Sequence, residues 1–156
     1  MTKVLLASDA NWVIDEVSAA LSDPGTELSV LRAGVDVRPA VSLSKPDLVI
    51  LDLQIGNMGG MATCLDLRLE SEVGRLPYVP VLILLDRTAD LYLAQQAKAD
   101  GWLVKPIDAF RLKMAAVKLL SGEKMSAVSE APKTVPVEAP PIDQTSDSDI
   151  ELSESP

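Results

Sequence analysis

Four short runs of apolar residues constrain the fold of this chain more than any other feature. They cover residues 4–7, 48–51, 81–85 and 102–104. Short uninterrupted apolar runs are typical of β-strands that are buried on both faces, so these are predicted to be central strands. A fifth run, residues 27–31, alternates polar and apolar residues, as in a strand at the wetter edge of a sheet.

Helical patterns separate these runs. Val13, Val17 and Leu21 recur at helical spacing, which predicts a helix over residues 11–22 that ends at Asp23-Pro24-Gly25. Further helices are predicted over residues 35–43, 60–73 and 88–98, and from Asp108, as N-cap, to Gly122, with Phe110, Met114 and Val117 on one face. Strands that alternate with helices predict an α/β fold of five βα units around a parallel sheet.

The chain changes character after residue 122. Residues 123–156 contain scattered Pro and Ser and no periodic apolar face, and they carry eight acidic residues against two lysines. This composition predicts one domain over residues 1–122 and a disordered acidic tail over residues 123–156. The tail either increases solubility or, through residues 147–154 with Ile150 and Leu152, provides a short docking segment.

Composition narrows the classes of function. The chain has a net charge of −9 and no histidine, which argues against nucleic-acid binding and against zinc chemistry. Carboxylate oxygens remain as metal ligands and favour a hard ion such as Mg²⁺. Cys64 is the single cysteine and is predicted to be a buried structural thiol, and no run has the length of a membrane span. We expect a soluble, cytoplasmic protein.

Charged residues follow the apolar runs. Asp9 comes soon after the first run, Asp52 ends the third, Asp86 follows the fourth and Lys105 follows the fifth. The carboxyl ends of parallel strands meet at one edge of a sheet, where ligands of such sheets bind. Carboxylates could hold a divalent cation there, while a lysine provides a point charge for a phosphate. A carboxylate can also be a nucleophile toward a phosphoryl group, and Asp52 is the candidate.

Several segments together resemble the receiver domain of bacterial response regulators. Residues 46–60, PDLVILDLQIGNMGG, resemble the phosphoacceptor strand and its loop, and residues 101–108, GWLVKPID, resemble the lysine loop. The opening KVLLASDA and the run VPVLILL resemble the first and fourth strands, so the resemblance covers about residues 3–121. It implies a flavodoxin-like, CheY-like sandwich with strand order 2-1-3-4-5.

The resemblance also implies a function and a site. Asp52 would accept a phosphoryl group from a histidine kinase or phosphotransfer protein, and Lys105, after a cis peptide bond to Pro106, would bind a phosphoryl oxygen. Mg²⁺ would lie on Asp9, Asp52 and the backbone carbonyl of Gln54. The protein would be a stand-alone cytoplasmic signalling phosphoacceptor rather than an enzyme. It would act through an unidentified protein target without contacting DNA or a membrane, and homodimerisation is open.

Several positions of the resemblance bear on how the site would work, and Ser8 and Leu85 depart from the family pattern. Ser8 stands where the first acid of a pair is usual, which predicts weaker Mg²⁺ binding. Leu85 stands in the switch position where a Ser or Thr hydroxyl normally contacts the phosphoryl group, and leucine cannot donate. Trp102 occupies the position of the switch aromatic and is predicted to be partly buried on an edge strand. Asp86 either supplies the missing charge or, as we favour, caps a helix or is solvated.

These departures leave alternatives open. The first alternative is a pseudo-receiver that binds partners without phosphorylation, in which removal of Asp52 would leave function intact. The second is a small-molecule or flavin-binding protein, because flavodoxin-like sheets bind ligands at the same edge. The residues after the first strand, Ala10-Asn11-Trp12, do not form a phosphate loop rich in Gly, Ser and Thr, which argues against this second alternative.

Overall fold

The computed structural model describes residues 1–125, and the predicted tail beyond residue 125 lies outside the described residues. The five strands are β1 (Thr2–Ala7), β2 (Thr26–Leu31), β3 (Leu48–Asp52), β4 (Val81–Leu85) and β5 (Gly101–Val104). The five α-helices are α1 (Asn11–Ala20), α2 (Val37–Ser44), α3 (Gly60–Glu72), α4 (Leu91–Gln96) and α5 (Ala109–Leu120). Each strand is followed by a helix, as the sequence predicts.

The strands form one parallel sheet in the order β2-β1-β3-β4-β5. This confirms the predicted fold class. Every residue of β3 and β4 is buried, because these strands have neighbours on both sides and helices over both faces. The register aligns Ala7 of β1 with Leu51 of β3, and Asp52 of β3 with Leu84 of β4. The ends of the central strands therefore lie side by side at one edge.

Side chains of alternate strand residues pack on opposite faces of the sheet. On one face, Val4, Leu6 and Ile50 belong to a core cluster that also contains buried residues of α1 and α5, among them Val13 and Leu112. On the other face, α2 and α3 bury Val37, Val41, Cys64 and Leu67. Cys64 is fully buried, as predicted.

The apolar run of β5 predicted a central strand, whereas the strand order implied by the resemblance put β5 at the edge of the sheet, and the second expectation is confirmed. Its residues are nevertheless buried, because Leu103 packs in the core cluster with Leu119 of α5 and the segment after α5 also covers the strand. The backbone amide of Met125 donates to the carbonyl oxygen of Asp100 at 2.8 Å, and Met125 Sδ lies 2.7 Å from where a Cβ on Gly101 would stand. The described chain therefore stays packed against the sheet for three residues beyond the predicted domain boundary at residue 122.

Two predicted helices also differ in detail. The region predicted as a helix over residues 88–98 is a 3₁₀ turn, Thr88–Asp90, followed by the short α4, and a 3₁₀ turn, Gly34–Asp36, precedes α2. In α5, Asp108 caps the first turn as predicted, accepting hydrogen bonds from the backbone amides of Phe110 and Arg111. The face that carries Phe110, Met114 and Val117 is exposed, because the opposite face supplies the buried side chains.

A buried ion pair joins α3 to the amino ends of β4 and β5, at the edge opposite the carboxyl ends. Arg68 Nη2 lies 2.5 Å from Asp100 Oδ2, and Arg68 also donates to the backbone carbonyls of Val79 and Lys98. Asp100 accepts further bonds from the Tyr78 hydroxyl and the Val81 amide. Within residues 1–125 no helix is long and apolar enough to cross a membrane.

Candidate functional site

The structure brings Asp52 and Lys105 into direct contact at the carboxyl edge of the sheet. Asp52 is the last residue of β3 and is 1% exposed, and Lys105 directly follows β5, two strands later in the chain. Lys105 Nζ lies 2.6 Å from Asp52 Oδ1. The peptide bond between Lys105 and Pro106 is cis, as the resemblance implied. The sequence therefore predicted this pairing correctly from the strand ends alone.

The ammonium group of Lys105 has two carboxylate partners. Its Nζ also lies 2.9 Å from Asp86 Oδ1, and the ring of Trp12 lies 5.8 Å away, within range of a cation–π contact. Burial acts to lower the pKa of Lys105, but the hydrogen bonds to Asp52 and Asp86 outweigh burial and raise this pKa above its ordinary value. Lys105 is therefore a fixed positive charge at neutral pH.

Both carboxylate oxygens of Asp52 accept hydrogen bonds. Oδ1 accepts from Lys105 and from the backbone amide of Gln54, at 3.1 Å. Oδ2 accepts from the Ser8 hydroxyl at 2.8 Å, and Ser8 Oγ in turn accepts from the Ala10 amide at 3.2 Å. A buried carboxylate requires such partners, because an isolated charge in the interior is costly. Asp52 is thus held in one orientation by donors to both of its oxygens.

Asp9 lies at the same edge but turns toward the loop between β3 and α3. It is exposed, and its Oδ2 accepts a hydrogen bond from the backbone amide of Gly56 at 3.1 Å. The N-cap of α1 is Ala10, without a side-chain hydrogen bond, so Asp9 does not cap that helix. Asp9 instead attaches the end of β1 to the loop that follows the acceptor strand.

Asp86 has a role that the favoured sequence interpretation missed. Arg87 is the N-cap of the 3₁₀ turn after β4, and Asp90 accepts from the Arg87 amide, so the N-cap interpretation of Asp86 is wrong. Asp86 pairs with Lys105 instead, and its Oδ2 is buried without a hydrogen-bond partner among residues 1–125. The signal in the sequence was its place directly after a strand that neighbours both β3 and β5.

The two switch positions lie inside the protein. Leu85, the last residue of β4, is fully buried, and Trp102 on β5 is 4% exposed, which is more buried than the sequence predicted. The indole Nε1 of Trp102 is buried and has no hydrogen-bond partner within the described part of the chain. Neither side chain places a hydroxyl next to Asp52. At the end of β4 the site therefore has the carboxylate of Asp86, whereas the family pattern has a hydroxyl donor at the position of Leu85.

Glycine is required where α3 begins beside the acceptor strand. A Cβ on Gly60 would stand 2.7 Å from the carbonyl oxygen of Asp52 and 2.9 Å from the Cα of Leu53. Gly60 also donates its amide to the Leu53 carbonyl at 3.2 Å. The absence of a side chain lets the helix start within contact of the strand and so fixes the loop of residues 53–59 over Asp52.

The oxygen atoms at this edge fit a hard divalent cation, but with few charges. Asp9 and Asp52 would supply carboxylates and Gln54 would supply a backbone carbonyl, which are the ligand types that Mg²⁺ prefers. Ser8 adds a neutral hydroxyl, and its hydrogen atom points to Asp52 Oδ2. In residues 1–125, no three acidic, cysteine or histidine side chains are grouped so that they could hold a metal ion. The donor set therefore fits a weakly held ion.

A parallel five-stranded sheet with a buried aspartate and a lysine at its carboxyl edge is the arrangement that the resemblance to receiver domains implied. The family model for the response regulator receiver domain matches residues 4–117. The chain belongs to the response regulator receiver domain family.

Several bacterial regulators are similar to this chain. The DNA-binding response regulator MtrA of Mycobacterium tuberculosis is 29% identical over 106 residues, which cover 67% of this chain and 44% of that protein. The alginate biosynthesis transcriptional regulatory protein AlgB of Pseudomonas putida is 26% identical over 129 residues, covering 83% and 28%. The chain thus matches less than half the length of these relatives.

Solved structures show the same fold. The chemotaxis protein CheY4 of Vibrio cholerae matches with a TM-score of 0.65 and 25% identity, covering 77% of this chain and 98% of that one. The receiver domain of a signal transduction histidine kinase from Syntrophus aciditrophicus matches with a TM-score of 0.68 and 23% identity, covering 89% and 98%. These two likenesses show that this chain shares its fold with the two solved proteins.

Proposed function

We propose that this protein is a phosphoacceptor of two-component signalling, in which Asp52 accepts a phosphoryl group from a histidine kinase or phosphotransfer protein. The observation that carries the proposal is the 2.6 Å contact between Asp52 and Lys105 at the sheet edge, in a chain of the receiver family. The signal then passes through contacts with another protein, since the net charge of −9 does not favour nucleic acid.

The reaction assigns a role to each group. An oxygen of Asp52 attacks the phosphorus atom, and a phosphorus–oxygen bond forms. The bond from phosphorus to the histidine nitrogen breaks, and its electron pair goes to that nitrogen, which takes up a proton from water. Lys105 Nζ, already on Asp52 Oδ1, neutralises charge on the phosphoryl oxygens. The Ser8 hydroxyl can rotate away from Oδ2, which frees this oxygen for attack.

Magnesium is the cofactor in this proposal. Asp9, Asp52 and the Gln54 carbonyl would hold it, and when bound it supplies positive charge for the phosphoryl oxygens. With Ser8 in place of an acid, the site offers one negative charge fewer than a site with an acidic pair, so we expect weaker binding than in such a site. Leu85 and Trp102 are the switch positions, with Leu85 unable to contact the phosphoryl group.

One specific observation favours a second function. Both carboxylate oxygens of Asp52 already accept hydrogen bonds from protein donors, so the site is fully hydrogen-bonded without a phosphoryl group. Trp102 is also already buried without a phosphoryl group. The second candidate is therefore a pseudo-receiver that binds its partner constitutively. It predicts that Asp52→Asn keeps partner binding and that no acyl phosphate forms.

Incubation with acetyl phosphate and Mg²⁺ distinguishes these functions. We expect the intact mass to rise by one phosphoryl group in the wild type and in Asp15→Asn, a control at an exposed carboxylate of α1. Asp52→Asn is expected to show no increase. A wild-type protein that gains no mass under saturating donor and Mg²⁺ would support the pseudo-receiver and contradict the phosphoacceptor.

A further inference from the structure

Asp86 contacts the same lysine ammonium group as Asp52, that of Lys105. It directly follows β4, and its Oδ1 lies 2.9 Å from Lys105 Nζ, while the same nitrogen lies 2.6 Å from Asp52 Oδ1. The side chain of Lys105 is 10% exposed, and that of Asp86 is 30% exposed. One ammonium group therefore bridges two carboxylates from neighbouring strands, with little room for bulk water around it.

The contact with Lys105 is the only hydrogen bond that the side chain of Asp86 makes within the described residues. The start of the following 3₁₀ turn is already satisfied, because Asp90 accepts from both the backbone amide and the guanidinium of Arg87. The Oδ2 of Asp86 is buried and accepts no hydrogen bond from residues 1–125. The local turn thus does not explain a carboxylate at this position, whereas the lysine does.

We infer that Asp86 is a positioning residue that acts through Lys105, holding its ammonium group on the β4 side of Asp52 and competing for it with a phosphoryl group. The inference rests on the proposed function and deepens it. A phosphoryl group on Asp52 brings further negative oxygens beside Lys105, and these oxygens attract its ammonium group away from Asp86. Asp86 also repels an anionic donor as it approaches.

The exchange connects the acceptor to the loop after β4. When Lys105 turns to a phosphoryl oxygen, Asp86 loses its partner, and residues 86–88 lose their hydrogen bond to the β5 end. Leu85, the preceding residue, has no hydroxyl through which the phosphoryl group could draw in this loop. The Lys105 to Asp86 contact is then the route by which phosphorylation changes the loop that leads into α4.

Phosphorylation of Asp86 variants by two donors of different charge tests this role. Asp86→Asn keeps an oxygen for Lys105 and removes the negative charge, whereas Asp86→Glu keeps the charge. We expect Asp86→Asn to be phosphorylated about tenfold faster than the wild type by acetyl phosphate, a dianion, and by a smaller factor by phosphoramidate, a monoanion at neutral pH. Asp86→Glu should remain as slow as the wild type, which a purely structural role of Asp86 would not require.

The outcomes separate this inference from the proposed function. If the wild type is phosphorylated and Asp86→Asn is equally fast or slower with both donors, Asp86 does not restrain Lys105 and the inference is wrong while the function stands. If neither protein is phosphorylated, the function fails and the inference fails with it. Asp86→Ala provides a second variant in case Asp86→Asn does not fold, as judged by near-ultraviolet circular dichroism, and it should show the same order of donors.

Discussion

The Ser8 hydroxyl donates a hydrogen bond to the carboxylate of Asp52, with 2.8 Å between Oγ and Oδ2. Ser8 is fully buried at the end of β1, where the family resemblance led us to look for an acid. The site does have a third acidic residue, Asp86, but it lies on the β4 side of Asp52, opposite to Ser8. The site therefore has a hydroxyl and an acid in exchanged places, which moves negative charge toward Lys105 and away from the expected cation position.

Restoring the acid at residue 8 should strengthen binding of divalent cations. We expect Ser8→Asp to lower the dissociation constant for Mg²⁺ or Mn²⁺ about tenfold, because ligand charge count tunes such sites. Trp12, whose ring lies 5.8 Å from Lys105 Nζ, provides a fluorescence signal for the titration. Ser8→Asn is the matched control, since it adds similar volume without charge, and equal affinities for the two variants would argue against this charge effect.

The buried Arg68 to Asp100 pair should matter far more than an exposed pair of the same helix. Both side chains are nearly inaccessible, at 6% and 3% exposure, so Asp100→Asn leaves the Arg68 charge uncompensated. We expect the free energy of unfolding to fall by about 3–5 kcal/mol. Glu72→Gln, which removes the exposed pair with Lys98, is expected to cost about 0–1 kcal/mol. Urea denaturation measures both, and similar losses would show that burial does not decide the cost.

Substitution of Gly60 should disturb the acceptor strand. The added Cβ of Gly60→Ala meets backbone atoms of Asp52 and Leu53 that cannot rotate away, so we expect a loss of about 1–3 kcal/mol in the free energy of unfolding. Gly25→Ala is the control, because no atom lies within 4 Å of its Cβ position. Gly25→Ala is expected to be neutral or to stabilise the protein by up to about 1 kcal/mol. A harmless Gly60→Ala would contradict the close approach.

The fold and part of the site could be predicted from the sequence. The strands were evident because both faces of β3 and β4 are buried, which leaves no polar residue within the runs. The pairing of Asp52 with Lys105 followed, since both stand at strand ends of a parallel sheet. These inferences depend on local patterns and on strand direction, and both are fixed by the chain itself.

Other features depend on contacts that no local pattern contains. The apolar residues Phe110, Met114 and Val117 mark a face of α5, but the helix packs through Leu112 and Leu119, and the sequence does not tell which apolar face meets the sheet. An aspartate directly before a helical turn is commonly an N-cap, so the sequence favoured that role for Asp86. Its actual partner, Lys105, comes from another strand end, which no local pattern around Asp86 indicates. The site roles of Asp9 and Gln54 remain predictions.

The stability of the protein should fall at alkaline pH through Cys64. Burial raises the pKa of the Cys64 thiol from 9.0 to about 12. The positive charge of Arg68 acts to lower this pKa, and the negative charge of Asp100 acts to raise it, but both effects are smaller than that of burial. The folded state therefore retains this proton more tightly than the unfolded state. The resulting contribution to stability is complete below pH 9 and is lost as the pH rises toward 12, by about 1.4 kcal/mol per pH unit.

Comparison with Cys64→Ala isolates the effect of the thiol. Burial and a hydrogen bond to Asp100 also raise the pKa of Tyr78 to about 12. Ionisation of Tyr78 therefore lowers the stability of the wild type and of Cys64→Ala in the same way as the pH rises. The difference in the free energy of unfolding between wild type and variant should therefore shrink between pH 9 and 11, as measured by urea denaturation. A constant difference across this range would mean that the thiol ionises equally easily in the folded and unfolded states.

The position of the phosphoryl group tests most directly whether Asp52 is the phosphoacceptor. Borohydride reduces an aspartyl phosphate to homoserine, so protein treated with acetyl phosphate and Mg²⁺, then borohydride, and then sequenced by tandem mass spectrometry reveals the modified residue. We predict homoserine at residue 52 in the wild type and at no position in Asp52→Asn. Homoserine at another aspartate, or none in the wild type, would contradict a phosphoacceptor site centred on Asp52.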